Sequence, residues 1–72
     1  MSNNLKKLRA DAHLSQNQLA RKLNTTPNSV HNWERNKSIP SAGAIYQMAK
    51  VFGVTTDDIF LALRTTYIVK NE

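Results

Sequence analysis

Between Ser15 and Lys37 the chain reads SQNQLARKLNTTPNSVHNWERNK, and most polar side chains there are carboxamides or hydroxyls. Such groups donate and accept hydrogen bonds without carrying charge, so the chemistry they offer is recognition of another molecule's donors and acceptors. His31 is a single titratable imidazole in this stretch; it could sense pH, be a contact residue, or do neither. Asp57 and Asp58 could be paired for acid–base work, but in the first turn of a helix two carboxylates serve the helix dipole and the cap. No nucleophile is paired with a base, and no phosphate-cradling glycine loop is present. His13 and His31 cannot build a structural zinc site alone, and the absence of cysteine removes disulfides and thiolate ligands. Neither catalysis nor a cofactor, metal or small-molecule ligand is expected.

The 72 residues suffice for one domain, near the lower limit for a single core, and 40% of them are hydrophobic. Ten Lys and Arg against five Asp and Glu leave a formal charge of +5, which favours a polyanionic partner unless it only solvates the surface. No apolar run approaches the about 18 residues of a membrane span, and the N-terminus MSNNLK has no signal-peptide character. A cytoplasmic protein without membrane contact is expected.

The elements that position the polar stretch follow from periodicity and caps. Leu5, Leu8 and Ala12 predict a first helix over about residues 3–12, starting near Asn3 or Asn4. Ser15 caps a second helix that runs through Leu23 with Leu19, Ala20 and Leu23 inward, and Asn24 ends it in the left-handed region. Thr26-Pro27 starts a third helix whose apolar side is Val30 and Trp33, with Asn36 as its stop. After the loop KSIPS, Ser41 caps a fourth helix with a stripe of Ile45, Met48, Ala49 and Phe52, closed by Gly53. Thr55 and Asp58 form an acidic capping box for a short fifth helix carrying Ile59, Phe60 and Leu63. The tail from residue 64 holds the strand formers Thr65, Thr66, Tyr67, Ile68 and Val69, but the sequence offers them no strand partner. The expected fold is all-α, a compact five-helix bundle over residues 1–63 with residues 64–72 as a tail that could serve dimerisation. A lone strand leaves backbone groups unpaired, and a second copy across a two-fold axis could cover them.

The second and third helices, joined by a short turn, have the spacing of a helix-turn-helix. With LKKLRADAHLS, LSQNQLARKL, NSVHNWERNK, IPS and IYQMAKVFGVTTDDIF in order, the chain from about Leu5 to Phe60 resembles the Cro/repressor-like (XRE-type) family of phage and bacterial regulators. It departs from the family where Asn24 and Asn36 stand at positions usually Gly, and where Thr25 replaces an aliphatic residue.

The resemblance implies a lambda-repressor-like DNA-binding domain whose third helix lies in the major groove. By position in the motif, Pro27, Asn28, His31 and Asn32 would face the groove, with Ser29 beside them reaching a base or a phosphate. Asn matches adenine N6 and N7, and a Pro ring or Thr methyl touches the thymine methyl. Ser15 and Gln16 would meet a phosphate at the second helix, and Asn36, Lys37 and Ser38 would hold phosphates beyond the third. Arg9 and Glu34 match a family pair tying the first helix to the end of the third, with Arg9 also reaching towards a phosphate; an exposed pair of this kind contributes little. Leu19, Ala20, Leu23, Val30 and Trp33 would form the structural core of the motif, Trp33 packing there instead of stacking on a base.

The function implied is a sequence-specific double-stranded DNA-binding transcriptional regulator, a short phage- or prophage-type repressor binding a palindromic operator as a homodimer. No ligand-sensing or self-cleaving domain is expected beyond the bundle. The alternative is an antitoxin-like or anti-repressor module that works mainly through a protein partner. A charge-only nucleic-acid binder ranks last, since it would place Lys and Arg on the third helix, where Asn, Ser and His stand.

Overall fold

Four hydroxyls placed just ahead of apolar-periodic runs each cap a helix in the computed structural model, which describes residues 4–63. Ser15, Thr26, Ser41 and Thr55 accept the backbone N–H three residues on, at 3.0, 3.2, 3.1 and 3.0 Å. At Ser15 and Thr55 the arrangement is reciprocal, because Gln18 and Asp58 take the cap's own N–H at 2.8 and 3.1 Å. The helices are α1 (Leu5–Asp11), α2 (Gln16–Lys22), α3 (Pro27–Glu34), α4 (Ala42–Phe52) and α5 (Thr56–Leu63). No strand occurs among the described residues, and the strand-forming tail lies outside them. None of these helices is long and apolar enough to cross a membrane.

Helix ends share one device. After α1, α2, α3 and α4 a residue with positive φ (His13 60°, Asn24 58°, Asn36 62°, Gly53 71°) reverses the chain. In each case that residue and its successor donate back to two carbonyls of the last turn, as Asn24 does to Arg21 at 3.2 Å and Thr25 to Ala20 at 2.9 Å. Asn supports this conformation through its short polar side chain, so the two expected departures from Gly are accommodated. His13 adopts it as well, as one of the non-glycine residue types that enter this region more readily. The residue after each reversal turns inward at three of the four ends: Leu14 and Val54 pack against the core and Thr25 is half-buried. An aliphatic side chain would therefore suit the Thr25 position.

The core is a single cluster drawn from every helix, with Leu5, Leu19, Val30, Met48 and Ile59 fully enclosed. Each such side chain contributes about 1.5–3 kcal/mol. Chiefly α2 packs on α3 and α4 on α5, while α1 touches both pairs. The N–H of Asn4 donates to the carbonyl of Ala62 at 3.1 Å, tying the start of α1 to the end of α5. Two details depart from the periodicity. α1 is Leu5–Asp11, shorter than the predicted 3–12, because Asn4 and Ala12 are its caps and not helical positions. Phe60, grouped with Ile59 and Leu63 in the reading of α5, points outward and is 50% exposed, since the buried stripe runs through Ile59, Ala62 and Leu63.

Candidate nucleic-acid interface

The crossing of α2 and α3 sets the frame. α2 and α3 pack on each other, and Ala20 of α2 is 1% exposed in the core they share, where its small side chain suits a close approach. Leu19, Val30 and Trp33 are buried around it and Leu23 is half-buried, so the apolar residues of both helices face the same core. The four residues Leu23–Thr26 make the joint: Asn24 reverses the chain and Thr26 caps α3, with Pro27 in its first turn. Pro fits there because the missing N–H would have no helical partner.

With Val30, Trp33 and Glu34 turned inward, the rest of α3 faces outward. Pro27, Asn28 and His31 are exposed; Ser29 and Asn32 are half-buried at the margin. The hydroxyl of Ser29 lies 3.1 Å from that of Thr26, which also accepts the Ser29 N–H. Ser29 is thus tied to the cap at the helix start, and its hydroxyl shares its hydrogen bonding with Thr26. No acidic residue stands in the first turn of α3, whereas α5 carries Asp57 and Asp58 there. The N-terminal end of α3 therefore keeps its partial positive charge uncompensated.

Behind this face a carboxylate joins three helices. Glu34, 3% exposed, accepts from Arg9 Nε at 2.6 Å and Arg9 Nη2 at 3.3 Å, and from Gln16 Nε2 at 3.0 Å. Arg9 Nη1 also donates to the Leu14 carbonyl at 2.8 Å, fixing the α1–α2 joint. The Arg9 and Glu34 side chains are 13% and 4% exposed, so this pair is not the exposed, weak one against which its value was discounted. Lys7 and Asp11, 3.6 Å apart at 74% and 67% exposure, are of that weak kind. Arg9 retains two N–H groups, but burial restricts what they can reach.

Of the residues expected at phosphates, Ser15 and Gln16 open α2, and Asn36, Lys37 and Ser38 follow α3. Ser15 is exposed, yet its N–H is taken by Gln18 and its oxygen accepts from Gln18, so outward it offers the hydroxyl hydrogen. Gln16 is half-buried against Glu34. Lys37 and Ser38 are exposed just past α3, and Asn36 is half-buried at the reversal between. Arg35, which the sequence motif left without a role, is exposed at the end of α3 beside these residues; its signal was its place two residues before Lys37. It also gave Gln18 no role, although the Ser-x-x-Gln spacing is that of a capping box.

A family model described as helix-turn-helix matches residues 5–59, most of the chain. The chain is 39% identical over 61 residues to an uncharacterized HTH-type transcriptional regulator of Methanocaldococcus jannaschii, spanning 85% of this chain and 92% of that protein. Two solved structures share the fold at 18% identity. One is the DNA-binding domain (1-76) of the P22 C2 repressor, with a TM-score of 0.69 over 78% of this chain and 71% of that one. The other is the clp gene regulator ClgR from C. glutamicum, with a TM-score of 0.71 over 92% and 86%.

Proposed function

The chain belongs to the helix-turn-helix family that its residues 5–59 match, and on that premise we propose that it is a sequence-specific transcriptional regulator of double-stranded DNA, a repressor in its simplest form. The observation that carries this reading is the composition of the outward face of α3. Pro27, Asn28, Ser29, His31 and Asn32 stand on a helix whose other side is locked into the core, and none of them is a fixed cation. A charge-driven binder would put Lys or Arg there, whereas α3 has neither and offers groups that discriminate base edges.

On this reading α3 enters the major groove by its N-terminal turns. Asn28 and Asn32 pair with adenine edges, Pro27 touches a thymine methyl, and His31 and Ser29 complete the face. Ser15, Gln16, Asn36, Lys37 and Ser38, with a contribution from Arg9, hold phosphates and set the register. Two copies on a palindromic operator place their reading helices about 34 Å apart, and occupancy of promoter DNA in the cytoplasm is the means of repression.

Two substitutions separate the roles. Asn32→Ala loses about 1–3 kcal/mol of preference for operator over random duplex and keeps its fold. Lys37→Ala weakens both duplexes together and lowers the salt slope by about one charge. Titrations at several salt concentrations measure both, and full operator preference in Asn32→Ala refutes the reading face.

A further inference from the structure

Glu34 does a second thing besides holding Arg9: it determines which way the Gln16 carboxamide points. Gln16 Nε2 donates to Glu34 Oε1 at 3.0 Å, while Arg9 grips both carboxylate oxygens. An ionised carboxylate accepts and cannot donate, so the flipped amide would set oxygen against oxygen. The carboxylate cannot turn to accommodate that flip, because it is buried and Arg9 holds both of its oxygens. Nε2 carries two hydrogens, and Glu34 takes one of them. The second leaves the nitrogen at about 120° from the first and belongs to a half-buried side chain in the first position of α2.

We propose that Glu34 is the positioning residue for a phosphate contact made by Gln16. The ligand is a phosphodiester oxygen of the DNA backbone, which takes the second Nε2 hydrogen and would be repelled by Oε1 if the amide were turned. The proposal rests on the DNA-binding reading above and adds to it the side chain that makes one contact competent. It also has a mechanical consequence. Glu34 closes α3, the helix that carries Asn28, His31 and Asn32, so the backbone grip and the reading helix are referenced to one buried point.

A binding cycle on a mixed-sequence DNA duplex at low salt tests this with the parent chain, Gln16→Ala, Glu34→Gln and the double variant. A hydrogen bond to a charged group makes Gln16→Ala bind about tenfold or more weakly. Its salt slope stays that of the parent, since Gln neutralises no phosphate. Glu34→Gln sets a carboxamide that can donate as well as accept beside Gln16, so either amide orientation becomes allowed; it weakens binding in the parent background, but adds no further loss in the Gln16→Ala background. An equal fold-loss in both backgrounds means that Glu34 acts only through the fold, and it overturns the proposal. Parent-level binding by Gln16→Ala overturns it too. Failure of the parent to bind any duplex removes the DNA reading itself, a result distinguishable from both.

A measurement without substitutions guards against an unfolded Glu34→Gln. In nuclear magnetic resonance spectra of the parent, the two Gln16 carboxamide protons are distinct. Added duplex shifts the outward proton far more than the one bonded to Glu34. Equal shifts, or none in a duplex-bound sample, contradict the assignment.

Discussion

Arg9→Met should destabilise this domain more than any exposed charge substitution, because it strips a buried carboxylate of its cation. The change removes the Glu34 contacts at 2.6 and 3.3 Å and the Leu14 carbonyl contact at 2.8 Å. Glu34 would remain 3% exposed in the folded chain with Gln16 as its side-chain donor. Leaving a buried charge unpaired costs about 3–5 kcal/mol. A chain of 72 residues has a total stability of roughly 4–11 kcal/mol, so the loss is a large share of it. The melting temperature should fall by at least about 12 °C. Lys7→Met is the control: it breaks an ion pair of the same formal kind at 74% and 67% exposure, worth about 0.3–0.5 kcal/mol. Arg9→Met/Glu34→Leu should recover part of the loss, since an apolar replacement of both partners removes the stranded charge. Thermal and urea unfolding followed by circular dichroism gives all three values. An Arg9→Met cost no larger than that of Lys7→Met refutes the assignment of this cluster as the anchor of α1, α2 and α3.

Trp33→Ala truncates a side chain that is 7% exposed, for which about 3–5 kcal/mol is expected, and thermal unfolding should show a severely loosened domain. Unchanged stability with lost DNA binding would make Trp33 a surface reader instead. Deleting residues 65–72, which lie outside the described residues, should leave a folded helical monomer with much weaker operator binding, measured by sedimentation at equal concentration. Dimerisation undiminished by the deletion would move the contact into the helices, where Phe60 and Leu61 of α5 are 50% and 55% exposed.

The elements of this fold were legible because local chemistry and periodicity agree. Ser15, Thr26, Ser41 and Thr55 each precede an apolar stripe and each caps a helix. Asn24, Asn36 and Gly53 mark left-handed stops by residue type. His13 reads in the sequence only as a lead-in to Ser15; His enters the left-handed region more readily than most residues, though less characteristically than Gly or Asn, and here the chain reverses before Leu14 enters the core. The outward turn of Phe60 was missed for a related reason. Phe60 and Ala62 lie on opposite sides of the line from Ile59 to Leu63, and only packing decides which side the buried stripe takes. For the site, the pairing of Arg9 with Glu34 could be read from the motif, but its burial could not. Gln16 joining that pair depends on the angle between α2 and α3, which no spacing in one dimension contains.

Whether α3 reads DNA sequence is decided by selecting bound molecules from a random pool of duplex DNA. The account predicts an enriched palindrome whose half-site centres lie about one helical turn apart, with adenine and thymine positions that lose preference in Asn28→Ala and Asn32→Ala. A pool that is retained with no enrichment would contradict it, leaving a positively charged bundle that binds DNA by charge alone.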